Sequence, residues 1–228
     1  MNTPAEIAKN YVGIGKGKVN TPPLKLFILG IMAGIFIGIG GIAYEMATAT
    51  IGGALGKLVG ACMFPAGLAL VLIAGSELFT GNCLMVMALL ERRITPAQLL
   101  RNWLTVYLGN AVGGAAVAAL AVYSHTASLF GDGLARSMVS IAESKAALGF
   151  GDAFLRGVLC NFLVCLAVWM AAASKRAEGK VIALFFPILL FVRSIIVPKN
   201  ISVTPSNNFD TAINVPTMPE FNPTVFVR

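Results

Sequence analysis

Phe64–Leu90 reads FPAGLALVLIAGSELFTGNCLMVMALL. The run is apolar enough and long enough to cross a bilayer. Its middle holds Gly75-Ser76-Glu77 and then Thr80-Gly81-Asn82, an acid among helix-weakening residues. An unpaired backbone group in hydrocarbon costs several kcal/mol, so broken backbone at membrane depth survives only where protein or a water-filled cavity surrounds it. An interrupted apolar segment is also the best sequence pointer to a transport site. The stretch therefore reads as a broken membrane helix lining a pore. The plainer alternative is a simple span ending near Ala74, with Ser76–Asn82 as an ordinary loop. The apolar run after it, Cys83–Leu90, is too short for a second span.

Outward from this stretch, the 228 residues are 57% hydrophobic and 12% charged, with a mean hydropathy of +0.82. A soluble domain carries about twice that share of charge. The chain is thus expected to be an all-α, polytopic membrane protein in a lipid bilayer. The first 24 residues are polar, so no cleavable signal peptide is expected and the first span serves as the insertion signal. The net charge of +7 does not call for nucleic acid, because no basic patch with interleaved aromatics is present. Cys62, Cys83, Cys160 and Cys165 lie in apolar segments without metal-ligand spacing and read as small buried hydrophobes. His125, the one histidine, falls in a polar loop and reads as solvated. No metal site, cofactor or catalytic triad is expected, and no enzyme activity.

In chain order, residues 1–24 form a cytoplasmic segment in which 3–11 suits a short amphipathic surface helix. A membrane domain follows over 25–198, with spans near 25–47, 55–91 (broken), 97–124, 151–173 and 181–198. The Gly30-xxx-Gly34-xxx-Gly38 spacing puts a smooth stripe on the first span, which lets another helix approach closely. Thr95-Pro96 reads as an N-cap followed by proline at the first helical position. Trp103 suits the membrane interface. Residues 125–150 read as a polar loop. Asn161 inside the fourth span is equally compatible with interhelical bonding and with pore lining. Ten of the seventeen lysines and arginines fall on the side of the N-terminus, which places that side in the cytoplasm. Phe64-Pro65 and Phe186-Pro187 form an internal echo of the kind left by inverted repeats.

Several motifs resemble the formate/nitrite transporter family. They are Gly13-Ile14-Gly15-Lys16, Lys57-Leu58-Val59-Gly60, the break Glu77-Leu78-Phe79-Thr80-Gly81-Asn82, Asn102-Trp103-Leu104 with Tyr107 and Gly109-Asn110, and Asn161–Met170 (NFLVCLAVWM). The resemblance spans roughly residues 5–192. It implies an aquaporin-like helical bundle of inverted repeats, assembled as a homopentamer with one pore per subunit. It implies passage of small inorganic or carboxylate anions of weak acids, namely formate, nitrite and hydrosulfide, across a bacterial inner (plasma) membrane. Carried over by residue, Phe64, Leu68, Leu78, Phe79 and Phe191 form pore constrictions. Thr80, Gly81 and Asn82 form the pore loop, and Lys145 and Asn161 mark the anion path. A charge in an apolar constriction is costly, and a low-dielectric site raises the pKa of a weak acid, so the neutral acid is the species suited to the narrow part.

The resemblance stops after Val192. Arg193-Ser194-Ile195-Ile196-Val197-Pro198 replaces the family's Glu-His break, and its central histidine falls on Pro198. Residues 199–228 carry four prolines and no apolar run, and read as a divergent, disordered tail. This reading makes the fold truncated after the fifth span, by a shifted reading frame or as a genuine five-span variant. The competing function is a non-transporting member that co-assembles with intact subunits. A water or glycerol channel would need two Asn-Pro-Ala loops, which the sequence lacks.

Overall fold

The computed structural model describes residues 1–192. Arg193, Pro198, the end of the expected fifth span and the expected tail lie outside the described residues. Within them every regular element is a helix. α1 is Pro4–Val19, α2 Pro23–Ile51, α3 Gly53–Met63, α4 Pro65–Ala74, α5 Phe79–Asn82, α6 Val86–Leu90, α7 Pro96–Tyr123, α8 Gly133–Ala146, α9 Phe150–Ala173 and α10 Ala177–Phe191. By length and composition, four segments among the described residues can cross a membrane: Pro23–Ile51, Gly53–Ala74, Pro96–Tyr123 and Phe150–Ala173.

Local chemistry sets the helix starts. Thr3 with Glu6, and Thr95 with Gln98, each form a reciprocal capping box, and each is followed by a proline at the first helical position. α1 is longer than the 3–11 expected for it. It continues through the glycines because Gly15 packs face-on against the α6 region, where a Cβ would lie 2.7 Å from the Ala88 Cβ. α8 occupies the region read as a polar loop. Its buried Leu134 and its packing on α2 supply tertiary stabilisation that its own composition does not.

The glycine stripe of α2 is consumed within the chain. Gly30 lies against Gly109, Gly34 against the Asn110 carbonyl, and Gly38 against the Val117 side chain, all on α7. Backbone-to-backbone contact of this kind holds membrane helices together by close packing. The main core joins Ala33, Tyr44, Phe64, Leu68, Val164, Ala167, Leu184 and Ile188, so α2, α3–α4, α9 and α10 share one interior.

The long second segment is interrupted twice. Phe64 and Pro65 end α3 and start α4. α4 then stops at Ala74, where Gly75 adopts φ +72° as a left-handed cap. Residues 75–78 are non-helical, and α5 begins at Phe79.

Candidate pore and its polar lock

The break at 75–78 exposes backbone groups that would be orphaned in hydrocarbon. Their partners come from α2 and α7. The Glu77 N–H donates to the Leu29 carbonyl at 3.1 Å. Asn110 of α7 does most of the remaining pairing. Its Nδ2 donates to the Gly30 carbonyl (2.8 Å) and the Glu77 carbonyl (2.9 Å), and its Oδ1 accepts from the Phe79 N–H (2.9 Å). One side chain thus staples α2, the break and the start of α5, as an amide can because it carries donors and an acceptor together.

A second polar cluster lies beside it. Lys18 Nζ reaches Glu77 Oε2 at 2.6 Å and Asn82 Oδ1 at 2.8 Å. Asn82 Nδ2 donates to Glu77 Oε2 (2.7 Å) and to Asn102 Oδ1 (2.9 Å). Glu77, Asn82 and Asn102 are all buried. The Asn102 Nδ2 has no hydrogen-bond partner among the described residues. The Trp103 indole N–H donates to the Asn82 carbonyl at 3.0 Å. The N–H of Trp103, a residue expected near the membrane interface, is thus spent on a carbonyl at the end of a four-residue helix.

Around this lock, the structure brings several candidate pore residues together. A cavity of about 190 Å³ is lined by Leu68, Leu78, Gly81 and Asn82, together with Lys18 and Ser76. Phe64 stands apart from this cavity, its ring 5.9 Å from that of Phe191 in a tilted pair. Phe79 makes edge contacts with Trp103 (6.1 Å) and Tyr107 (5.5 Å). The Thr80 carbonyl accepts the Cys165 S–H at 3.2 Å, which ties the break to α9. Asn161 is half-buried on α9, one turn before Cys165, whose sulfur lies 3.9 Å from the Asn161 Oδ1. Lys145 is half-buried near the end of α8. Burial, then the Arg156 charge on α9, pushes its ammonium below the ordinary lysine value.

The cysteines depart from the buried-hydrophobe reading. Cys62 is exposed and the other three are half-exposed. Cys165 acts as a hydrogen-bond donor, because the broken backbone leaves a carbonyl that a neighbouring helix must satisfy. Lys18, Asn102 and Asn110 were not singled out as site residues by sequence reasoning. The available signal was a buried acid at 77, which requires a cationic or amide partner somewhere in the chain.

The sequence pattern of the formate/nitrite transporter family matches residues 5–196. The chain belongs to the formate/nitrite transporter family. It is 37% identical over 195 residues to the formate channel FocA of Haemophilus influenzae, covering 84% of this chain and 69% of that one. It is 38% identical over 212 residues to a probable formate transporter of Methanothermobacter thermautotrophicus, covering 84% and 77%. Among solved structures, a pentameric formate channel with formate bound superposes with a TM-score of 0.68 at 34% identity, covering 77% of this chain and 70% of the other. This family member is therefore a multi-pass membrane protein of the transporter class, and its relatives are channels and transporters rather than enzymes.

Proposed function

We propose that this chain forms a channel for small monovalent anions of weak acids, with formate as the first substrate and nitrite and hydrosulfide as further members of the class. One observation carries the reading. An apolar stretch formed by Leu68 and Leu78 adjoins a broken backbone whose polar groups are paired internally. An anion approaching such a wall faces a large desolvation cost, which falls when it takes a proton. Lys18 is held at this cavity by Glu77, so its charge is offset and does not trap the anion. Phe64 with Phe191 supplies an apolar narrowing, the Thr80–Asn82 loop the polar point, and Lys145 and Asn161 the approach. Two relatives named for formate support the choice of substrate.

The assembly is a homopentamer in the bacterial inner membrane, with residues 1–24 cytoplasmic and the membrane domain over 25–198. The lysine and arginine bias supports that orientation, and the pentameric neighbour supports the assembly.

The test is reconstitution of the purified chain into vesicles that enclose a pH-sensitive dye. Added formate should change interior pH faster than in protein-free vesicles, chloride should not, and nitrite and hydrosulfide should follow formate. Formate uptake equal to that of empty vesicles sinks the proposal.

A further inference from the structure

Glu45 is a buried acid, 8% exposed, in the last two turns of the apolar helix α2, Pro23–Ile51. Its carboxylate accepts one hydrogen bond, from the Ser137 hydroxyl of α8. Among the described residues it takes part in neither ion pair, those being Lys18–Glu77 and Arg176–Glu178. A carboxylate buried in a membrane helix with a single hydroxyl donor is costly to keep, which makes it a candidate functional group.

Glu45 faces a cavity of about 340 Å³ between α2, α7 and α8, whose other walls include Tyr44, Phe64, Val117 and Ile141. That volume falls within the range of ~300–1,000 Å³ typical of small-ligand pockets. Two glycines on its wall point the same way. Gly34 and Gly30 are glycines because α7 backbone presses on them, whereas a Cβ at Gly41 or Gly114 would meet nothing within 4 Å. Their missing side chains leave space and relieve no clash.

We propose that this cavity binds small organic amines, with Glu45 as the counter-ion and Phe64 and Tyr44 as aromatic walls. An ammonium group desolvated beside a carboxylate and aromatic faces is favoured on both counts. The apolar remainder of the cavity takes the amine's hydrocarbon part. Phe64 also forms the tilted pair with Phe191, so an occupant would sit behind a ring of the candidate narrowing. That last consequence rests on the proposed channel function; the binding itself does not.

The experiment uses the purified full chain and reads thermal unfolding, which is independent of transport. Benzylamine is the probe, and benzyl alcohol the neutral isostere. Benzylamine at about 100 times its Kd should raise Tm by roughly 5 °C, while benzyl alcohol at the same concentration leaves it nearly unchanged. Glu45→Gln should abolish the amine-specific shift. Gly114→Leu, which fills the cavity without altering charge, should abolish it too, and keeps the assignment testable should Glu45→Gln fail to fold. Equal shifts from amine and alcohol, no shift from either in the native chain, or a full amine shift in a folded Glu45→Gln or Gly114→Leu variant would each overturn the assignment.

Discussion

Lys18 and Glu77, 59 residues apart in the chain, meet at 2.6 Å between the N-terminal helix and the break in the second membrane segment. The ammonium also bonds Asn82, so one cation serves both ends of the broken stretch. Removing one partner of a buried pair leaves an uncompensated charge and costs about 3 kcal/mol. Lys18→Ala should therefore lower Tm by roughly 6–12 °C in a thermal melt. The double variant Lys18→Met with Glu77→Gln should recover most of that loss, because no charge is left buried. Equal melting of Lys18→Ala and the native chain would show that the pair contributes nothing.

Asn110 makes three hydrogen bonds that no aliphatic side chain can replace. Leaving buried backbone groups unpaired costs about 1–3 kcal/mol each. Asn110→Leu should destabilise the fold more than Asn161→Leu does, since the contacts of Asn161 shown among the described residues are to the sulfurs of Cys165 and Cys83, which are weak partners. In vesicles, Asn110→Leu should also reduce formate flux in any folded fraction. Comparing the two variants by denaturant titration and by flux separates these effects.

Two glycine-to-alanine substitutions on the same helix should differ sharply in their effect on stability. A methyl at Gly34 would collide with the Asn110 carbonyl, whereas a methyl at Gly41 would enter open space. Gly34→Ala is expected to cost roughly 1–3 kcal/mol by overpacking. Gly41→Ala is expected to be neutral or to stabilise by up to about 1 kcal/mol through helix propensity. Paired Tm measurements check the sign of each.

Tyr11 anchors α1 to α9: its ring stacks on Trp169 at 6.3 Å and its hydroxyl donates to the Val168 carbonyl at 3.5 Å. Burial, and secondarily Cys165, pushes its phenol up to about 12. The folded chain thus holds this proton more tightly than the unfolded chain, whose tyrosine titrates near 10. The contribution is fully present below pH ~10 and is lost as pH rises from about 10 through about 12. Stability should fall over that window in the native chain and fall less in Tyr11→Phe. Thermal melts across the alkaline range decide it.

If the Phe64–Phe191 pair is the narrowing, Phe64→Ala should raise formate flux several-fold and admit chloride, which the proposed channel would exclude. The vesicle assay reads both. Unchanged selectivity would place the narrowing elsewhere.

Much of the membrane architecture was legible in the sequence because it follows from local chemistry. The apolar run at 64–90 with Glu77 inside it already required a protected break, and Gly75 at φ +72° is where that break begins. The Gly30–Gly34–Gly38 spacing announced a close helix contact, and Thr95-Pro96 a helix start. The motifs through Asn161–Met170 carried the family.

What the sequence could not supply was the identity of partners. That Gly34 meets Asn110, that Lys18 reaches Glu77, and that Trp103 turns inward to the Asn82 carbonyl depend on contacts between distant segments. Periodicity marks which residues share a face, but it does not say which face they meet. α8 was missed for the same reason: its helix is stabilised by packing on α2, through Leu134 and the Ser137–Glu45 bond, and its own sequence reads as loop. The sequence alone determined that a chain this apolar must cross a membrane and must shield a broken segment there. Only the tertiary structure decided which side chains do the shielding, because a buried polar group accepts whichever partner the fold brings within hydrogen-bond reach.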